Sequence, residues 1–125
     1  MSRSILLASA LVGAFLLARA STPGADEAAD PVAVVAHVDV MPNFTAQGRD
    51  LLRQLALESR KDPGVVRFEV LEELGRPNHS TIVATWRTRE AFDDHLALEH
   101  TRRSRGQLQP MLGSPFDERI HRIMP

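Results

Sequence analysis

The sequence predicts an α+β domain: a four-stranded antiparallel sheet with two helices on one of its faces. Three observations predict it. Apolar and polar residues alternate with period two in four segments, helical spacing occupies two others, and the segments fall in the order β-α-β-β-α-β.

Residues 1–20 precede that domain. Arg3 supplies a positive start, residues 5–17 form an apolar run, and Ala18-Arg19-Ala20 has the small-x-small pattern of a signal-peptidase site. The run is shorter than the roughly 20 residues of a relaxed bilayer crossing, so it reads as a cleaved leader, with an uncleaved anchor as the rival. Export to the periplasm or the medium follows, with no membrane attachment after cleavage. Losing Arg3 and Arg19 would leave 13 of the 15 basic residues against 16 acidic ones. Residues 21–31 (STPGADEAADP) are small, acidic and bounded by proline, and contain too little apolar surface to offset their ordering entropy. They read as a flexible linker, and residues 32–125 as the folded unit.

Residues 32–41 open it as a strand. Val32, Val34, Ala36, Val38 and Val40 share one face, whereas the other mixes Ala33, Val35 and Met41 with His37 and Asp39. A helix follows over residues 45–61, with Asn43 or Thr45 as its cap. Phe44, Leu51, Leu52, Leu55 and Ser59 lie on its inner stripe, and Arg49, Arg53 and Arg60 on its outer one. Asp62-Pro63-Gly64 stops it. Residues 65–74 form the second strand, in which Val66, Phe68 and Val70 face the core opposite Arg67 and Glu69. Residues 75–78 (GRPN) carry turn chemistry, and residues 80–87 (STIVATWR) form the third strand, completing a hairpin. Thr88 caps a second helix that places Ala91, Phe92, His95, Leu96 and Glu99 or His100 on one face. Further helical turns reach Pro110 and Gly113, and residues 116–124 close the sheet as its most polar strand.

Right-handed crossovers turn this order into the ferredoxin-like arrangement, with both helices on one face. The second face, carrying Val35, His37 and Met41, is too apolar to remain in water. A two-fold partner stacking its own open face would cover it, so a homodimer is expected.

The absence of cysteine excludes disulfides and thiolate chemistry. A net charge of −1 gives no reason to expect nucleic acid. His95 and His100 are five residues apart, a poor spacing for two ligands on one helical face, and no HExxH pattern occurs, so no metal site is expected.

The stretch TWRTREAFDDHL (residues 85–96), with His100 following, and the stretch DPGVVRFEV (residues 62–70) together resemble the antibiotic-biosynthesis-monooxygenase-like family. The resemblance spans residues 32–125 and implies a dimeric α+β barrel with a small pocket between sheet and helices. Some members oxidise quinols or aromatic polyketides with dioxygen and no cofactor, and others degrade haem. Haem-degrading members place asparagine, tryptophan and a histidine ligand where this chain has Ala36, His95 and, approximately, Arg105, so haem degradation is disfavoured. The lack of tyrosine after residue 20, and of asparagine in the third strand near Trp86, departs from characterised oxygenases.

His95 is the candidate acid/base, because an imidazole titrating near neutrality can take a proton from a phenolic or enolic substrate. Trp86, Phe92, Phe68 and His100 are the candidate substrate contacts, with His100 beside Arg102 and Arg103 at a pocket mouth. The expected partner is a small aromatic or quinol-like molecule, with no cofactor. A non-catalytic ligand-binding protein of the same fold is the alternative.

Overall fold

The computed structural model describes residues 30–125. The segments expected to be a leader (1–20) and a linker (21–31) lie, but for the last two residues of the latter, outside the described residues. Strand β1 (Val32–Asp39) leads through a 3₁₀ turn (Pro42–Phe44) to helix α1 (Thr45–Ser59). Strands β2 (Val65–Glu73) and β3 (Arg76–Trp86) follow, then helices α2 (Arg89–Ala97) and α3 (Glu99–Leu108), a second 3₁₀ turn (Gln109–Met111), and β4 (Asp117–Arg122). The strands form one sheet in the order β2-β3-β1-β4, every neighbouring pair antiparallel. This is the ferredoxin-like topology that the element order predicts.

The two faces separate as the period-two alternation requires. Val34, Ala36 and Val38 of β1 and Ile82, Ala84 and Trp86 of β3 pack beneath the helices with Phe68, Leu52, Leu55, Phe92 and Leu108. Trp86 and Phe92 are buried essentially completely, each such side chain stabilising the fold by about 2–3 kcal/mol. On the other face Val35 and Val83 stand opposite one another, flanked by Ala33 and Thr85, His37 and Thr81. Both valines are half-buried and Leu71 on the same face is 47% exposed.

Four local expectations are corrected. Val66 does not face the core: it is the extra residue of a bulge between Val65 and Arg67, and is 60% exposed. Residues 75–78 are not the turn, because Leu74 and Gly75 alone make it and β3 already begins at Arg76. Neither Asn43 nor Thr45 caps α1; its N-cap position is Phe44, and the Thr45 hydroxyl donates to the Pro42 carbonyl at 2.7 Å. The second helix does not run on, since Leu98 adopts extended backbone (ψ 145°) and splits it into α2 and α3.

Candidate functional site

Three segments converge under the helices. The turn after α1 carries Asp62 and is held by Asp62 N–H donating to the Ser59 carbonyl (3.1 Å) and Arg87 N–H donating to the Gly64 carbonyl (2.8 Å). Helix α2 starts where the sequence places it: the Thr88 hydroxyl oxygen accepts from Ala91 N–H at 3.0 Å. Counting from that cap, Phe92 and His95 fall on the inner side, about one helical turn apart. The break at Leu98 then redirects the chain, so His100 and Thr101 of α3 come back against the same turn.

The result is a buried polar cluster. The Asp62 carboxylate, 8% exposed, lies 2.7 Å from His95 Nδ1 through Oδ2, and 2.8 and 2.9 Å from His100 Nε2 through its two oxygens. Thr101 Oγ1 lies 3.3 Å from His95 Nδ1. His100 Nδ1 faces Glu58 Oε2 at 3.4 Å without making a hydrogen bond. Among the described residues, buried side-chain atoms without a hydrogen-bond partner are Glu58 Oε2, Ser59 Oγ, Trp86 Nε1 and His100 Nδ1. Buried polar atoms are rarely left so, and two of these four face each other. Burial pushes the His95 imidazole below its ordinary pKa, outweighing the opposing effect of the Asp62 carboxylate.

Aromatic rings surround His95. Its ring centroid lies 4.5 Å from that of Trp86, 5.9 Å from Phe68 and 6.2 Å from Phe92. These four side chains wall an interior cavity completed by Arg105, Phe116 and Glu118 among others. The cavity is tight: the centre of a water molecule can range over only about 10 Å³ of it, room for about one water. On one side Arg105 pairs with Glu118 across α3 and β4 and lies over the Phe116 ring, 4.7 Å from its centroid.

All five residues singled out from the sequence therefore meet, but in different roles. His95, Trp86, Phe68 and Phe92 line the cavity. His100 does not sit at its mouth with Arg102 and Arg103; it lies behind His95 on Asp62, while Arg103 reaches Glu58 at 3.5 Å. The spacing argument against paired histidine ligands also fails, because Leu98 places the two histidines on different helices. Asp62, Glu58, Thr101, Arg105, Phe116 and Glu118 are additional members. Asp62 carried a signal only as a helix stop, and nothing in the linear order ties it to His95, 33 residues on.

A sequence model of the antibiotic biosynthesis monooxygenase family matches residues 31–106. A protein of uncharacterised activity from Synechocystis sp. is 25% identical over 100 residues, covering 80% of this chain and 66% of that protein, just under two thirds of its length. Solved structures with this fold include Rv0793 from Mycobacterium tuberculosis, with a TM-score of 0.72, 23% identity and coverage of 77% of this chain and 97% of that one. A conserved protein from Methanosarcina mazei has a TM-score of 0.70 and 24% identity, covering 78% and 96%. A structure described as an antibiotic biosynthesis monooxygenase has a TM-score of 0.72 and 21% identity, covering 75% and 99%. At such identities the likeness is one of fold.

Proposed function

The chain belongs to the antibiotic biosynthesis monooxygenase family, and we propose that it oxidises a small quinol or phenol with dioxygen, using its own side chains and no cofactor. The observation that carries this reading is the His95 imidazole, set in the cavity wall against Trp86 with Nδ1 held by Asp62. With the Nδ1 proton given to Asp62, Nε2 is the basic nitrogen, and burial keeps the ring neutral and able to accept. His95 takes the phenolic proton, and the Asp62 carboxylate stabilises the imidazolium that forms. The resulting electron-rich anion reduces dioxygen. For a hydroquinone the overall reaction closes without outside reductant: one oxygen atom enters the product as a hydroxyquinone and the other leaves as water. Trp86 Nε1, a buried donor without a protein partner, is available to a substrate oxygen or a water.

The half-buried Val35–Val83 face supports a homodimer, and the apolar leader supports a place outside the cytoplasm. Oxygen uptake by the purified protein with menadiol tests the activity. Uptake well above autoxidation, falling about 10²–10⁴-fold in His95→Ala, is the expected result for loss of a general base. Uptake no faster than autoxidation, or unchanged by His95→Ala, refutes it. The second reading, a protein that binds a small molecule without turnover, is favoured by the mostly apolar lining of the cavity, in which Arg105 and Glu118 already pair with each other. Menadiol binding without oxygen uptake would select it.

A further inference from the structure

We propose that Asp62, His95 and His100 form a site for one divalent transition-metal ion of borderline softness, zinc(II) being the simplest case. The ligands are His95 Nδ1, His100 Nε2 and an Asp62 carboxylate oxygen, which all lie within 4.8 Å of one another. Two imidazoles and a carboxylate form a donor set suited to such ions. With bonds of about 2.0–2.2 Å, ligand atoms around a tetrahedral ion stand roughly 3.4 Å apart. The present separations of 2.7–2.9 Å from Asp62 to the two rings open to that by a carboxylate shift of about half an ångström. Thr101 Oγ1, beside His95 Nδ1, or a water supplies the fourth position.

The independent observation is the unsatisfied contact behind His100. In a neutral ring whose Nε2–H donates to Asp62, Nδ1 has only a lone pair to offer, and it faces the Glu58 carboxylate, another acceptor, at 3.4 Å. That opposition is costly in a buried place. A metal ion on Nε2 moves the ring proton to Nδ1, and a small approach of the two groups from 3.4 Å lets it donate to Glu58, the carboxylate–histidine–metal arrangement that orients such ligands. Both orphaned atoms are satisfied together, and Asp62 with Glu58 supplies two negative charges to match the dication. A second proton on His100 is the competing way to relieve the contact, and it predicts no metal uptake.

Loading also changes the pocket side of His95. Ligation through Nδ1 places the ring proton on Nε2, turning the base invoked for substrate oxidation into a donor. Metal binding itself is read without substrate, so this site and the oxidation reading fail independently. The test titrates cobalt(II), as a spectroscopic stand-in for zinc, and zinc(II) into chelator-treated protein, following the visible spectrum and calorimetric heat. One ion per chain is expected, with the ligand-field bands of a four- or five-coordinate site. Binding should be lost in Asp62→Asn and His100→Gln, weakened about 10–100-fold in Glu58→Gln, and unchanged in His37→Gln and His79→Gln. Circular dichroism establishes that each variant is folded, and the wild-type cobalt spectrum stands without any variant. Absence of saturable binding at millimolar metal overturns the proposal. So does full binding by folded Asp62→Asn, or loss of binding in His37→Gln or His79→Gln.

Discussion

Replacing Gly64 by alanine tests how the Asp62 turn is held beneath α2. Gly64 has φ +80°, a region that favours glycine, and a Cβ built on it falls 2.5 Å from Ala91 Cβ. The left-handed backbone costs an alanine about 1–2 kcal/mol, and forcing a methyl group into packed surroundings adds about 1–3 kcal/mol. The expected loss is therefore about 2–5 kcal/mol, against a total stability of about 5–15 kcal/mol for a domain. Gly75→Ala provides the control, because Gly75 has φ +84° but its Cβ would meet nothing within 4 Å, leaving only the backbone part. Urea denaturation followed by circular dichroism measures both. For a domain of this size each kcal/mol lowers Tm by roughly 4–8 °C. The double variant Gly64→Ala with Ala91→Gly removes the collision. It should show a coupling of about 1–3 kcal/mol, because the cost of about 1 kcal/mol for glycine within a helix is shared with Ala91→Gly alone and cancels from the cycle. If Gly64→Ala is no more destabilising than Gly75→Ala, or if the two changes at 64 and 91 simply add, the close approach of turn and helix is wrong.

The open face and the buried histidine supply two further predictions. Light scattering should find the protein as a dimer and Val83→Arg as a folded monomer, since the added charge would lie opposite Val35 at the centre of the contact; a monomeric wild type refutes the dimer. In buffer containing chelator, stability should be fully present above the ordinary histidine pKa of about 6.5 and decline as pH falls through the lower folded-state value of His95. The sign follows from linkage: the unfolded chain binds the proton first. Urea midpoints for wild type and His95→Gln across that range measure the effect, and an equal decline in both assigns it to other groups.

Most of the fold was legible because it depends on patterns that local sequence carries. The alternation in residues 32–40 survives, with Val34, Ala36 and Val38 as the buried face of β1 and Val40 buried just beyond it, and Thr88 caps α2 through its own side chain. The misreadings share another cause. Val66 alternates correctly on paper, but one bulge shifts its face, and a bulge is decided by pairing with β3. Leu98 has no breaker chemistry, yet its extended backbone ends α2, and the redirected chain carries His100 onto Asp62 and Thr101 onto His95. The cluster thus lay beyond the linear reading for a physical reason. Its key hydrogen bonds join residues more than thirty positions apart, and only the packing of α1, α2 and α3 sets them. His95 and Trp86 were visible because a histidine on an apolar helix face and a tryptophan ending a strand stand out without a partner. Asp62 needs its partners to be noticed.

The tight cavity does not by itself decide between oxidation and simple binding. On the side of α3 and β4 it is closed by the partly exposed Arg105–Glu118 pair and by the Arg105 guanidinium over Phe116. Such a pair contributes about 0–1 kcal/mol and such a cation–π contact about 0.5–1 kcal/mol, so parting them costs about 2 kcal/mol at most. At 1.4 kcal/mol per factor of ten, an open form held back by that closure alone is populated to at least a few per cent. A ligand that requires it loses apparent affinity in proportion to that fraction. The aromatic wall behind is different, because Trp86 and Phe92 are buried completely and moving them would expose the core. Access is therefore expected along α3 and β4 rather than through the helix cap at Thr88. A substrate arriving that way passes the Arg105 guanidinium, which favours a molecule with an anionic or phenolic oxygen.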